Sequence, residues 1–291
     1  MMEIKCDENI EGMRLDRFLR RKFKNENLSK IFESIRTGKV KVNNKKQKEN
    51  YRLKLDDIIE INLLKEEAVE VKKNKSFSKI NIDKEKYQDM IFYEDDNYLV
   101  INKPSGVTVH KGTSNDYGLA EVFKQIMKND NINFANRIDK DTKGLVLGAK
   151  NPKTLRDLTE KIRNNELVKK YIVIVHGNIE KKNFEIENYL ETQENRVIIS
   201  DGEKGKYSKT VFKKIKILDN KYTVLEAELI TGRKHQIRIQ LANFGTPIIG
   251  DKKYGIRDKC KELMLIAYYL KFDEHIFEID YNEFIEKVSN K

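Results

Sequence analysis

The chain has 291 residues, 38% hydrophobic and 36% charged, enough to bury one good core and leave material for a second, smaller one. It shows no apolar run near the roughly 20 residues that span a bilayer, no apolar leader (the opening residues include Glu3, Lys5 and Asp7), and only two distant cysteines, Cys6 and Cys260. The expectation is a soluble cytoplasmic chain with free thiols and neither disulfide framework nor metal site. The net charge of +11 is concentrated, since between Arg14 and Lys54 fifteen Lys or Arg stand against four Asp or Glu, the whole surplus of the chain, and such a patch points to a polyanionic partner, most simply nucleic acid.

The basic stretch opens with Leu15, Phe18, Leu19 and Phe23 at helical spacing, the other faces carrying Arg17, Arg20, Arg21 and Lys24. Ser29 is placed to cap a second helix holding Ile31, Phe32 and Ile35, and Gly38 to end it in a left-handed residue. Val40 and Val42 alternate with Lys39 and Lys41 as a strand. Turns at Asn43-Asn44 and Asp56-Asp57 then precede a strand with Ile58, Ile59 and Ile61. This order of helix, helix and strands, with Arg14-Leu15-Asp16 at the start and Gly38 to Asn43 after the second helix, resembles the alpha-L RNA-binding module of a small-subunit ribosomal protein and many RNA-modifying enzymes. The resemblance implies an RNA-binding domain over residues 1–65, with contacts from Arg14, Arg17, Arg20, Arg21, Lys30, Arg36, Lys39, Lys41, Lys45 and Lys46. Stacking aromatics are scarce here, so phosphate and groove-shape contacts are expected to dominate.

Residues 66–87 are polar and mixed in charge and read as a linker to a second domain over 88–288. There, strands are expected at Tyr98 to Asn102 and Val107 to Val109, flanking the turn Pro104-Ser105-Gly106. Leu119, Val122, Phe123, Ile126 and Met127 form a helical stripe, and Asn151-Pro152 starts a helix bearing Leu155, Leu158 and Ile162. Further strands are read at Leu145 to Ala149, Tyr171 to Val175, Lys209 to Ile215 and Tyr222 to Leu229. Ile237, Leu241 and Phe244 lie on a helix ended by Gly245, with Pro247 beyond. The spacing lacks a regular βαβ alternation, so the expected class is α+β, a mainly antiparallel sheet flanked by helices following the small basic domain.

Two runs carry chemistry. In Arg137-Ile138-Asp139-Lys140-Asp141-Thr142-Lys143-Gly144-Leu145 a carboxylate stands among cations just before an apolar strand, where loops carry reactive groups and strands carry rigidity. The second run is Thr231-Gly232-Arg233-Lys234-His235-Gln236-Ile237-Arg238-Ile239-Gln240-Leu241, followed by Gly245, Pro247, Gly250-Asp251 and Tyr254-Gly255. Together with Glu94 to Val107, which contains Asn102-Lys103-Pro104-Ser105-Gly106, these resemble the motifs of the RluA-type pseudouridine synthases over most of residues 88–272. The resemblance implies the pseudouridine synthase fold and cofactor-free isomerisation of uridine in RNA, with Asp139 as reacting carboxylate. It places Arg238 as a helix-mounted guanidinium that keeps Asp139 charged and fixes its rotamer. It matches Tyr171 to the family tyrosine, implying a ring that stacks on the flipped uracil and a hydroxyl that assists removal of the C5 proton. It further implies Leu265 as an apolar wall, Arg137 as a residue that helps expel the target nucleotide, and Arg233 and His235 as further substrate contacts. The chain departs from the usual pattern at Asn136, Lys143, Lys234, Gln240 and Ile266.

The basic module followed by this catalytic domain looks most like the RluC type. It implies a monomer acting on large-subunit (23S) ribosomal RNA, with transfer RNA as the alternative substrate and a non-catalytic ribosome assembly factor as the alternative function. A magnesium nuclease needs carboxylates clustered from several segments, and the motif regions are rich in Lys and Arg instead. A glycosidase needs a second catalytic carboxyl, which no motif here supplies.

Overall fold

The computed structural model describes residues 1–23, 25–62, 84–111, 117–194, 196–200, 202 and 204–289. Two compact units form, one on Met1–Ile82 and Asn151–Lys153 and one on Asp83–Lys150 and Thr154–Lys291. Lys24, and residues 66–83 of the stretch read as a linker, lie outside the described residues.

In the first unit β1 (Met2–Lys5), α1 (Leu15–Lys22), α2 (Leu28–Arg36), β2 (Val40–Val42) and β3 (Ile58–Ile61) follow one another. The strands make an antiparallel sheet in the order β1-β3-β2. Its Val40, Val42, Ile59 and Ile61 pack with the expected stripe Leu15, Phe18, Leu19 and Phe23 and with Ile31 and Ile35 of α2. At about 1.5–3 kcal/mol for each fully buried large apolar side chain, this cluster holds both helices to the sheet. Three details differ from the sequence reading. The cap of α2 is Asn27, whose side chain accepts from the Ser29 N–H at 3.1 Å. Phe32 is 38% exposed, because neighbours in a helix do not share a face and Ile31 takes the buried one. An extra strand, β1, pairs with β3; only Met2 and Ile4 alternate there, too few residues to announce it. Gly38 adopts φ +77° as expected.

The second unit runs α3 (Lys84–Gln88), β4 (Ile91–Glu94), β5 (Tyr98–Lys103), α4 (Leu119–Ile126), β6 (Asn133–Phe134), β7 (Lys143–Ala149), α5 (Pro152–Arg163) and β8 (Val168–His176). Then come β9 (Asn183–Gln193), β10 (Arg196–Ser200), β11 (Lys206–Leu218), β12 (Tyr222–Leu229), α6 (Gln236–Asn243), β13 (Leu265–Phe272), β14 (His275–Glu278) and α7 (Asn282–Ser289). Eleven strands form one sheet in the order β10-β9-β11-β12-β8-β13-β7-β5-β4, with β14 on β13 and β6 on β7. Every pairing is antiparallel except β13 with β7. Alternate residues of β5 and β7 feed two apolar clusters, Leu99, Ile101 and Val146 packing with Phe123 of α4, and Val100, Leu145 and Leu147 with Leu158 of α5.

The expected strand at Val107 to Val109 is absent. Its carbonyls serve α4 instead, Thr108 accepting from the Leu119 N–H at 2.9 Å and Val109 from the Ala120 N–H at 3.0 Å, so the segment satisfies a helix start rather than a ladder. The single parallel pairing positions the motifs. It sets Gly144 of β7 opposite Ala267 of β13, which is itself opposite Tyr171 of β8. Gly144 has φ +111°, and a Cβ there would lie 2.1 Å from the Ala267 carbonyl oxygen, so only glycine lets the two strands meet. The loop before β7 is thereby held beside the middle of β8.

Candidate active site

Asp139 lies in the loop that enters β7. Its neighbour Ile138 is anchored in the core, and the loop is laced to the turn after β5. The Gly106 N–H donates to the Lys140 carbonyl at 2.8 Å and Ser105 Oγ to the Asp141 carbonyl at 2.9 Å. Lys103, fully buried, donates through Nζ to the carbonyls of Pro104, Val107 and Lys140 at 2.8, 2.9 and 3.0 Å. Burial lowers the Lys103 ammonium to about 8, while Asp141 and Asp139 oppose the shift. One lysine thus ties both loops together, a role the Asn102-Lys103-Pro104 run did not by itself reveal.

The Asp139 carboxylate faces two groups from α6. Its Oδ2 is 3.7 Å from Arg238 Nη1 and 3.9 Å from His235 Nε2. Arg238 is buried on α6, the helix expected to carry it, but its closest partner differs from the sequence reading. Nε and Nη2 donate to both oxygens of Asp251 at 2.8 and 2.7 Å, and the third nitrogen is left toward Asp139. Burial works against the charge on Arg238, yet the hydrogen bonds and charge of Asp251 outweigh it and hold the guanidinium above its ordinary value. Burial likewise opposes the charge on Asp251, and Arg238 still holds that carboxyl below its ordinary value. Asp251 also accepts the Lys253 and Tyr254 N–H groups at 2.9 and 3.1 Å, so one carboxylate fixes both the guanidinium and the turn beyond it.

His235 starts α6 in the left-handed region, φ 54° and ψ 21°, which histidine tolerates better than most residues. Burial pushes its imidazolium down to about 4, with Arg238, Lys253 and Lys234 adding to the shift and Asp139 opposing it. The ring is therefore neutral near pH 7. Tyr254 Oη accepts the Val197 N–H at 3.0 Å and lies 2.8 Å from His235 Nδ1, within hydrogen-bond distance. The other ring nitrogen, Nε2, faces Asp139.

Tyr171 is buried in β8, and burial, with the charge of Asp139 beside it, raises its hydroxyl well above the ordinary tyrosine value. A phenol held protonated offers a ring face and an O–H. Leu265 is buried opposite Val173, two residues along β8 from Tyr171 and on the same face of the strand. Arg137 is exposed. Arg233 is exposed and donates from Nε to the Tyr207 carbonyl at 2.9 Å. In the first unit Arg17, Arg20, Arg21, Arg36, Lys39, Lys45 and Lys46 are exposed and Lys41 half-buried. Two of the expected RNA contacts have carboxylate partners of their own, Arg14 with Asp16 at 3.0 Å and Lys30 with Glu26 at 3.0 Å.

Of the departures from the motif, Asn136, Lys143, Gln240 and Ile266 are absorbed by packing or hydrogen bonds, whereas Lys234 is exposed. Asn136 accepts the Leu147 N–H at 2.7 Å, and Lys143 pairs with Glu262 at 2.6 Å. Gln240, fully buried, accepts from Thr210 Oγ1 at 2.6 Å and donates toward Ile186, Asn188 and Ser208. Sequence reasoning left Asp251, Tyr254 and Gln236 without a role. Gln236 Oε1 accepts from Thr231 Oγ1 and the Arg233 N–H, both at 2.9 Å, and so shapes the turn into α6. The available signal was the spacing of one acid, Asp251, shortly after Arg238. Among the described residues no group of three or more His, Cys, Asp or Glu is placed to hold a metal ion.

The RNA pseudouridylate synthase family model matches residues 97–243, and the S4 domain model matches residues 13–59. The chain is 37% identical over 254 residues to the ribosomal large subunit pseudouridine synthase C of Buchnera aphidicola subsp. Baizongia pistaciae, covering 86% of this chain and 79% of that protein. It is 33% identical over 277 residues to the protein of the same name from Escherichia coli (strain K12), covering 90% and 82%. Among solved structures, human RNA pseudouridylate synthase domain containing 4 superposes with a TM-score of 0.58 at 19% identity, covering 70% of this chain and 94% of that one, a likeness of fold.

Proposed function

Because the chain belongs to the RNA pseudouridylate synthase family, we propose that this enzyme isomerises uridines of large-subunit ribosomal RNA, with Asp139 as the reacting carboxylate. The reaction breaks the C1′–N1 bond, turns the uracil and joins C1′ to C5. The C5 proton is lost and N1 gains one, so no redox equivalent or hydrolytic water is consumed. The observation that carries the assignment is the convergence on Asp139 of Arg238 at 3.7 Å and His235 at 3.9 Å, beside a buried Tyr171 held protonated. Arg238, itself immobilised by Asp251, holds the carboxylate in one direction, and His235 Nε2 faces the same oxygen. Such preorganised charge costs no rearrangement at the moment of reaction. The flipped base lies against Tyr171 and Leu265, an apolar seat that keeps water from the cleaved bond.

The ribosomal target is supported by the names of the relatives and by the S4 match at the basic amino-terminal unit. A cytoplasmic location, beside such a substrate, belongs to this reading. The test is pseudouridine mapping of ribosomal and transfer RNA from cells lacking the gene, complemented with wild type or Asp139→Asn. Wild type should restore large-subunit sites and the variant none, although the purified variant folds and binds RNA. Restoration by Asp139→Asn would remove Asp139 from the chemistry. Restored sites confined to transfer RNA would replace the substrate, and unchanged maps in the deletion would favour an assembly role.

A further inference from the structure

The cations around Tyr254 are more numerous than the catalytic assignment uses. The Arg238 guanidinium carbon lies 5.4 Å from the centre of the Tyr254 ring, and the Arg196 guanidinium carbon and Lys253 Nζ each lie 5.9 Å from it. Lys234 is close enough to add to the charge felt by both His235 and Lys253. Asp251 neutralises Arg238. Among the described residues no carboxylate pairs with Arg196 or Lys234, and both are exposed.

The arrangement is built. Arg196, the first residue of the edge strand β10, donates through Nη2 to the Lys253 carbonyl at 2.7 Å, and the next residue, Val197, donates its N–H to Tyr254 Oη. The backbone of Lys253 and Tyr254 is in turn held by Asp251. Three like charges around one ring repel one another, and burial together with Lys234, Arg238 and Arg196 lowers the Lys253 ammonium, with Asp139 opposing. An arrangement fixed in this way is relieved by an external anion.

We propose that Arg196, Lys234 and Lys253 form a seat for one backbone phosphate of the RNA, the phosphate adjoining the flipped uridine. The proposal rests on the reading of Asp139 as the reacting group. From Asp139 the path runs through His235, 3.9 Å away, to Tyr254, whose ring centre is 5.4 Å from that of His235. The seat is thus on the scale of one nucleotide from the reacting sugar. Arginine offers the fork that fits a phosphate, and the two lysines add point charge. The function of the β9–β10 hairpin follows, since its edge strand carries Arg196 to the site and locks it there through Val197.

The probe is a fragment of large-subunit ribosomal RNA containing the mapped uridine, made with ordinary linkages or with a single uncharged methylphosphonate 5′ or 3′ of that uridine. Wild type, Arg196→Met and Lys253→Met are compared for affinity, salt dependence and single-turnover rate at saturating enzyme. Each substitution should weaken binding about 10-fold and lower the salt slope by roughly 0.7–0.9, leaving the saturating rate within about threefold. One of the two methylphosphonates should weaken wild type to a similar degree and have no further effect on either variant. Arg196→Lys should recover most of the affinity, which a merely structural Arg196 would not allow; should a Met variant melt well below wild type, Arg196→Gln and Lys253→Gln replace it. Fully additive losses at both linkages, or unchanged affinity in both variants, would overturn the seat while an inactive, RNA-binding Asp139→Asn still upholds the catalytic reading. Absence of pseudouridine with wild type would overturn both.

Discussion

The substitution Asp251→Asn isolates the part of the site that the reacting groups depend on. The Asp251 carboxylate accepts four hydrogen bonds, two from Arg238 and one each from the Lys253 and Tyr254 N–H groups, and both charged partners are about 95% or more removed from solvent, at 2% and 4% exposure. An asparagine keeps the shape and one acceptor oxygen. If that oxygen stays with the three donors on Oδ1, the amide NH2 must face the Arg238 Nε–H, donor against donor, and a buried guanidinium loses its counter-charge. Breaking such a pair from one side costs about 3–5 kcal/mol. In a unit of this size that lowers Tm by about 6–20 °C, at roughly 2–4 °C per kcal/mol. Thermal or urea unfolding of the full chain measures it. Single-turnover pseudouridine formation should fall by about 100-fold, as expected when one preorganised electrostatic partner is removed, and RNA affinity should hold. The pH dependence follows from the lowered carboxyl: Asp251 contributes stability that is present above 3.8, its unfolded value, and lost as pH falls through the folded value, so wild type and variant should converge in acid. With Arg238→Met added, the double variant should be no less stable than Asp251→Asn alone. A loss below about 1 kcal/mol, or strict additivity in the cycle, would refute the argument that this pair acts as one buried unit.

His235 is neutral when folded, so between about 6.5 and about 4 only the unfolded chain takes up its proton and stability falls with pH across that window; His235→Gln should flatten this slope, and an unchanged slope in acid titrations of Tm would place the histidine in solvent. Gly144→Ala puts a Cβ 2.1 Å from the Ala267 carbonyl oxygen at φ +111°, so it should destabilise the larger unit by about 3 kcal/mol or more, and a Tm within 2–3 °C of wild type, roughly 1 kcal/mol, would contradict the close approach of β7 and β13. Replacing the exposed Arg17, Arg20 and Arg21 of α1 by glutamine should weaken binding to structured RNA and reduce the salt slope by up to about 0.9 for each phosphate no longer neutralised; an unchanged slope would take α1 off the RNA.

Local pattern made much of this fold legible. The stripe Leu15, Phe18, Leu19 and Phe23 needs only a helical period, and Tyr222 to Leu229 is a strand with the bounds its alternation suggests. What escaped was tertiary in origin. β1 exists because β3 offers it a partner, and Val109 is buried although its carbonyl serves α4 rather than a ladder. The site divides in the same way. Asp139, Tyr171 and Arg238 stand in motifs and were readable as residues, and their nearness was an expectation of the family resemblance. That Arg238 gives its two strongest bonds to Asp251 depends on how α6 meets the turn before Tyr254, and no spacing in the chain encodes that angle. The Tyr254 hydroxyl beside His235 is held by the Val197 N–H of an edge strand 38 residues upstream, a contact only the folded sheet supplies.

The departures from the family pattern sharpen the same point. Lys143 stands at the start of β7 where the pattern has serine, and a solitary lysine there would set an unpaired charge beside the Gly144–Ala267 crossing. The chain answers with Glu262, just before β13, whose carboxylate takes Lys143 at 2.6 Å and lies 3.7 Å from Lys287 of α7. This bridge joins the segments on either side of the one parallel pairing in the sheet. Burial disfavours charge on Glu262 less than Lys143 favours it, and its carboxyl is held below the ordinary value. The lysine side chain is 19% and the Glu262 side chain 45% exposed, so solvent screens the bridge and its contribution is that of a partly exposed pair. It acts where the loop carrying Asp139 turns into the sheet. A motif position without its hydroxyl is thus served by an ion pair whose second half lies 119 residues away.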